Sequence, residues 1–444
     1  MLRKSLYWLG LFLLGLGAEG GFCFAAKSVV VFPFENNTKN PTMEWIGQSF
    51  VETLNEQLAS TWFRPVSEEQ CNALFDRLGL PYDGDFSRAT LLKVGEDLDA
   101  NYAVVGSYRY EQSEFIATVE LIDVDTSHIE TAFAEKGHLD TLKRIQSRIA
   151  WRILVHFDST FPYNQEDFYK RFEEVPLSAF ENYVRGRRAV DGKSQLQYFL
   201  RAERIDPAYS RAIFQIGKIY FLQKDYPTSQ LWLRRINRND WHFYEAEFYL
   251  GLDYYFMKNF DKAAVAFNTL LSELPLNEVF NNLAAALSRS GGSTQVVRNY
   301  QRAIEGDPGE GDFYFNLGYY FWKSSDFASA TRYLRESLQL NPQDAEAAYL
   351  LANALQTLKQ TDESSHYYLL ASRLNPKAVG WTVASLPPLE RVKLNFDALA
   401  FRDLKATLDS LKEQKLKKRP LAEQIAEHLK SGVEYFDESN NSEA

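Results

Sequence analysis

The feature that most constrains this chain is a beat of 34 residues in its second half. Prolines stand at Pro207, Pro275, Pro308, Pro342 and Pro376, each after a segment of helical pattern, at gaps of 68, 33, 34 and 34. The mark missing near 241 is filled by Trp241, so six consecutive units keep the period. A unit of this length is a helical hairpin that cannot bury its apolar face alone, and such units are stable only when stacked.

The residues inside the unit explain how. From Tyr244 onward, Leu250, Gly251 and Tyr254 take the seventh, eighth and eleventh positions, Ala263 and Phe267 the twentieth and twenty-fourth, and Pro275 closes the unit. Leu317, Gly318, Phe321, Ala330, Leu334 and Pro342 repeat the set. Ile216, Gly217, Tyr220 and Leu233 fall in phase, as do Leu283, Ala284, Leu287, Tyr300, Ala303 and Pro308, and then Leu351, Ala352, Leu355, Tyr368, Ala371 and Pro376. A shortened first unit carries Gly186, Phe199, Ala202 and Pro207. Small residues at positions eight and twenty let two antiparallel helices approach, and large ones at seven, eleven and twenty-four fill the groove so formed. Proline, lacking an amide donor, ends the second helix. This pattern resembles the tetratricopeptide repeat, which implies an all-α superhelix (an α-solenoid) of about six repeats over 178–376.

The first residues read as a targeting segment. Arg3 and Lys4 precede an apolar stretch from Ser5 to Gly17, with Ala25 and Ala26 beyond it, the order of a secretory signal over residues 1–25. The stretch is shorter than the roughly 20 apolar residues a spanning helix needs. Phe22, where a lipid-attachment signal requires a small residue, argues against a lipoprotein anchored at Cys23. Removal of the signal leaves Cys71 alone, so no internal disulfide forms and the fold rests on its core.

Between signal and repeats lies a stretch of mixed pattern. Ser28 to Phe34 is an apolar, β-branched run; Ile46, Phe50, Leu54 and Leu58 form a helical stripe; Trp62 to Val66 reads as a second strand. Ser67 and Gln70 make a capping box opening the next helix, and a further helix over Ser87 to Ala100 precedes the strand Tyr102 to Tyr108. Phe115, Ala117, Val119 and Leu121 alternate with Ile116, Thr118, Glu120 and Ile122, His128 to Ala134 supplies the hairpin partner, and Leu142, Ile145, Ile149 and Ile153 mark a closing helix. The stretches VVVFPFENNT, LLKVGEDLDANYAVVGSY and ATVELIDVDTSHIE, with Asn101, Tyr102, Gly106 and Ser107 in the second, resemble the N-terminal domain of TolB and its relatives. The expected class is therefore α+β: a three-layer-like α/β domain over 27–157, a linker over 158–177, the array over 178–376, and C-terminal helices over 377–444. With a signal in front, the resemblance implies a Gram-negative periplasmic protein associated with the cell envelope.

Chemistry is sparse. The net charge of −10 argues against nucleic acid. Of the six histidines, His128, His138, His156, His242, His366 and His428, no two stand at metal-ligand spacing, and no nucleotide loop or nucleophile elbow is present. Neither a catalytic site, a metal nor a cofactor is expected. In a tetratricopeptide array the first helices line the concave face, which here places Phe214, Phe221, Phe248, Tyr255, Phe256, Phe315, Tyr319, Trp322, Tyr349 and Asn353 toward a partner or between repeats. The carboxylate clamp of some relatives needs lysine where Phe214, Phe248, Phe315 and Tyr349 stand. The expected function is a non-catalytic scaffold binding a peptide or helix of a protein partner; the alternative is a ligand-sensing regulatory subunit of an envelope enzyme or a secretion or transport assembly. At the C-terminus, Pro387 and Pro388 are expected to open a helix with Phe401, Leu404, Leu408 and Leu411 on one stripe, and Gly432 and Tyr435 to begin an incomplete repeat.

Overall fold

The computed structural model describes residues 26–60, 62–80, 86–159, 161–172, 174–238, 240, 242–292, 294–382, 386–396 and 401. The signal segment and the incomplete repeat at Gly432 and Tyr435 lie outside the described residues, as do Leu404, Leu408 and Leu411; Phe401 itself is helical and buried. Two compact units divide the chain: among the described residues, 26–172 with Phe401 form one and 174–396 the other.

The first unit is built on a six-stranded sheet. Strands β1 (Lys27–Val31), β3 (Phe63–Pro65) and β4 (Tyr102–Glu111) are parallel, with β1 in the middle, and the short β2 (Glu35–Asn36) runs beside β4. Strands β5 (Glu114–Asp123) and β6 (Ile129–Gly137) continue the sheet as an antiparallel meander, giving the order β3-β1-β4-β5-β6. Helices α1 (Trp45–Leu58) and α4 (Leu142–Phe157) carry the two apolar stripes, α2 (Glu68–Leu78) follows the capping box, and α3 (Arg88–Asp97) lies within the helix read over Ser87 to Ala100. Val30 and Phe32 share a core with Leu74, Phe75 and Val94 of α2 and α3. On α1, Phe50 stacks on Phe34 with ring centroids 4.0 Å apart. Gln146 of α4 donates to Ser49 (2.6 Å) and accepts from Thr53 (2.8 Å), a satisfied buried network between α4 and α1. The capping box forms as read, Ser67 Oγ accepting from Gln70 N–H and Gln70 Oε1 from Ser67 N–H, each at 3.1 Å.

Two motif residues are structural. Asn101 Oδ1 accepts from Ser28 N–H at 3.0 Å, fixing the start of β4 beside β1. A Cβ on Gly106 would lie 2.4 Å from the Thr118 carbonyl oxygen and 2.5 Å from the Phe34 ring, so only glycine fits there. The stretch expected as a linker includes a short helix, α5 (Gln165–Tyr169), whose Phe168 and Tyr169 are buried. Trp151 on α4 donates to the Tyr163 carbonyl oxygen at 2.7 Å, which holds this stretch to its own unit.

The second unit is a run of six helical hairpins: α6 (Leu177–Arg188) with α7 (Gly192–Ile205), α8 (Ser210–Leu222) with α9 (Tyr226–Leu233), α10 (Phe243–Phe256) with α11 (Phe260–Glu273), α12 (Asn277–Arg289) with α13 (Gln295–Gly306), α14 (Gly311–Lys323) with α15 (Phe327–Leu340), and α16 (Ala345–Thr357) with α17 (Thr361–Leu374). Pro207, Pro275, Pro308, Pro342 and Pro376 each follow two residues after a second helix ends. The glycine at position eight faces the large residue at position twenty-four. A Cβ would meet Leu233 at 2.6 Å from Gly217, Phe267 at 2.5 Å from Gly251, and Leu334 at 2.8 Å from Gly318. In four of the six hairpins the turn places Lys224, Lys258, Ser325 or Lys359 in the left-handed region, φ near +61 to +62°. Asp225, Asn259 and Asp326 then cap the second helix through backbone N–H groups three residues on.

Candidate functional site

The first helices of the hairpins carry an unusual burden for an apolar stack: Asn281 and Asn282 on α12 and Asn316 on α14, all fully buried. A buried amide must find partners for both its oxygen and its nitrogen. These find them in a stretch of backbone that follows the last hairpin. Arg391 N–H donates to Asn316 Oδ1 at 2.7 Å, and Asn316 Nδ2 donates to the Arg391 carbonyl at 2.7 Å. Two residues on, Lys393 N–H donates to Asn282 Oδ1 at 2.7 Å, and Asn282 Nδ2 donates to the Lys393 carbonyl at 2.8 Å. Asn281 ties the pair together, accepting from Asn316 at 2.8 Å and donating to the Arg391 carbonyl at 2.8 Å.

Alternate residues presenting their backbone to one side is the habit of an extended strand. The segment 386–396 thus lies along the first helices and runs back from the last hairpin toward the earlier ones. Tyr349 on α16 donates to the Trp381 carbonyl at 3.0 Å, Tyr319 on α14 shares a hydrogen bond with the Leu389 backbone, and Phe396 reaches Phe248 on α10 with ring centroids 4.7 Å apart. The helix expected to open at Pro387 and Pro388 does not start there, because this backbone is bonded to asparagine amides instead of to its own preceding turn.

Side chains add a charge code. Arg391 reaches both carboxylate oxygens of Asp344 (2.6 and 3.0 Å), Asp312 (3.1 Å) and Glu346 (3.1 Å), and its guanidinium lies 3.4 Å from the Phe315 ring centroid. Burial alone would lower its pKa, but Asp344 and its acidic neighbours raise it further above the usual arginine range. Lys393 meets Asp312 at 2.7 Å and Glu310 at 3.0 Å. Burial alone would raise the Asp312 pKa; the hydrogen bond and charge of Lys393 reverse this and hold it below the ordinary carboxylate value. Glu390, its side chain only 1% exposed, turns the other way to Lys323 at 2.5 Å and Arg289 at 3.7 Å.

The aromatic residues read from the sequence divide between two roles. Phe248, Phe315 and Tyr319 touch the segment as described, and Tyr349 holds the Trp381 carbonyl ahead of it. Tyr255 lies near Glu390: burial raises its pKa and the carboxylate adds to the rise. Phe214, Phe221 and Phe256 pack between hairpins, Phe214 and Phe221 against Tyr249 (5.8 and 5.1 Å) and Phe256 stacked on Tyr226 (5.3 Å). Trp322 donates to Asn353 Oδ1 at 2.9 Å, joining α14 to α16. The residues missed are the three asparagines, the acidic set and the segment itself. A signal was present: Asn282 and Asn316 stand 34 residues apart, at position six of successive units.

Among the described residues no group of histidine, cysteine and carboxylate side chains is placed to hold a metal ion, and no helix is long and apolar enough to cross a membrane. No curated protein sequence matches the chain. Similar solved structures include MamA (17% identity, TM-score 0.35, covering 40% of this chain and 98% of that one) and YrrB, described as a TPR protein with an unusual peptide-binding site (14%, 0.36, 41% and 96%). PilF of Pseudomonas aeruginosa is a third, at 16% identity and TM-score 0.37, covering 42% of this chain and 85% of that one. A tetratricopeptide-repeat family model matches residues 321–383, so the stretch from the end of α14 to just past α17 is tetratricopeptide repeat in sequence, and the preceding hairpins keep its period.

Proposed function

We propose that the chain is a non-catalytic scaffold whose array grips an extended segment of a protein partner. One observation carries this reading: Asn282 and Asn316 each bind both the N–H and the C=O of a single residue, two positions apart along one strand. Contacts to main-chain atoms suit any extended segment, while the flanking charges and rings select among them. Display of random twelve-residue peptides against the full-length chain tests it. Selected peptides should lose binding to the N282A/N316A double variant; binders that hold equally well to that variant overturn the reading.

The setting we propose is the periplasm of a Gram-negative bacterium, supported by the order of charged, apolar and small residues over 1–25. The TolB-like character of the α/β unit is part of the same proposal, supported by Asn101 just before β4 and by Gly106 and Ser107 within it. Mass spectrometry of the protein from its native host should find a mature chain beginning near Ala26. An intact residue 1, or a lipid on Cys23, sinks the export route as stated.

A further inference from the structure

The groove that would take a partner is filled by the chain's own residues. We infer that residues 386–396 are an internal ligand, displaced by a partner segment of the same chemistry: an extended stretch in which an acidic residue is followed at once by arginine and, two positions later, by lysine. This inference rests on the peptide-binding reading above and deepens it.

Three features point to a competitor more than to a permanent strut. First, the asparagine clasps hold main-chain atoms, which a segment from another protein presents equally well. Second, the recognition is ionic. Glu390 faces Lys323 and Arg289, whereas Arg391 and Lys393 face Glu310, Asp312, Asp344 and Glu346. Paired charges taken out of water gain little over apolar packing of the same volume, but they impose register and reject segments with the wrong order. A part that only closed the groove would need no such order. Third, the segment is tethered to the last hairpin through few residues. A short tether supplies an effective concentration of roughly millimolar, so a free segment must overcome that advantage and binds weakly while the internal one is seated.

The groove thereby describes its partner. Acidic residues on α14 and α16 and near the start of α14 call for two cations on alternate residues of a strand. The cations Lys323 and Arg289 call for an anion just before them, and Phe248 calls for an apolar or aromatic residue five positions after the first cation, where Phe396 sits.

The test uses a fluorescent synthetic peptide with the sequence of residues 386–396 and the full-length chain, wild type and R391E/K393E. Reversing those charges sets the internal segment against the acidic set and should free the groove. Fluorescence anisotropy should show the peptide binding R391E/K393E at least tenfold more tightly than wild type, with binding lost when N282A/N316A is added. In wild type, saturating peptide should speed amide exchange at Arg391 and Lys393 at least tenfold, a readout that does not depend on the variant folding. Equal affinity for wild type and R391E/K393E, still dependent on the asparagines, overturns the internal-ligand inference and leaves the peptide-binding reading standing. No binding to either folded protein removes both. A concentration-dependent dimer of the wild-type chain that disappears in R391E/K393E names a second copy as the occupant and overturns the partner assignment.

Discussion

The side-chain amide of Asn316 closes a two-bond ring on the backbone of Arg391, with both hydrogen bonds at 2.7 Å. Asn316 is fully buried, so the same geometry serves helix and segment at once: each would leave polar atoms stranded without the other. Replacing Asn316 by Ala removes the ring and leaves the Arg391 N–H without its acceptor. Leaving a buried donor unmet costs about 1–3 kcal/mol. Hydrogen exchange should show the amides of residues 389–393 losing protection while the centres of α14 and α16 keep theirs. Equal protection in the N316A chain would show that the ionic contacts alone seat the segment.

The position-eight glycines make a sharper claim about the hairpins. In Gly251→Ala the new Cβ would lie 2.5 Å from Phe267, a ring with no exposed surface, and overpacking of this kind costs about 1–3 kcal/mol. Gly192→Ala, in the first turn of α7 with no atom within 4 Å of the new Cβ, should instead be neutral or stabilising by up to about 1 kcal/mol. Thermal melting of the two variants side by side measures the difference. Gly318→Leu, facing Leu334 at 2.8 Å from its Cβ, should lower or split the transition, since neighbouring hairpins share their stability.

Asp253 gives the array a pH dependence. It is fully buried on α10, and burial pushes its pKa up to about 7, with the negative charge of Asp225 adding to the rise. The unfolded chain releases this proton near pH 4, whereas the folded chain keeps it until near 7. The folded state therefore binds more protons in that window, and stability falls as pH rises from about 4 to about 7 before levelling off. Asp253→Asn should abolish this slope and raise the melting temperature at pH 8 relative to wild type. Chemical denaturation at pH 5 and pH 8 on both proteins checks the sign; a wild type more stable at pH 8, with the slope unchanged in the variant, rejects it.

Cys71 should be a poor nucleophile in the folded protein. Burial, and secondarily the charge of Glu68, pushes its thiol up to about 12, so almost none is thiolate at neutral pH. Alkylation by iodoacetamide at pH 8 should be slow in the native chain and rise to the rate of an ordinary cysteine thiol in denaturant. A native rate as fast as the denatured one would contradict the packing described around α2.

Much of the hairpin architecture was legible because its determinants are local and periodic. Gly217, Gly251 and Gly318 announce close helix pairs, and Pro275, Pro308, Pro342 and Pro376 announce helix ends, whatever the rest of the chain does. The capping box at Ser67 and Gln70 and the alternation from Phe115 to Ile122 are legible for the same reason. Phe214 and Phe221 were harder: position in the repeat places them on the first helix but cannot say whether an adjacent hairpin, here through Tyr249, covers the ring.

The sequence by itself determined the unit, its length, its small and large positions and its stops, since each follows from chemistry within 34 residues. Only the tertiary structure decided what fills the groove. Arg391 lies 75 residues from Asn316, and Lys393 lies 111 from Asn282, so no period or local pattern links them. The extended path of 389–396 comes from long-range hydrogen bonds and ion pairs that exist only once the hairpins have stacked and brought Asp312, Asp344 and the asparagines into one line. A strand with no partner strand has no signature of its own; its partner here is a row of side chains assembled by the fold.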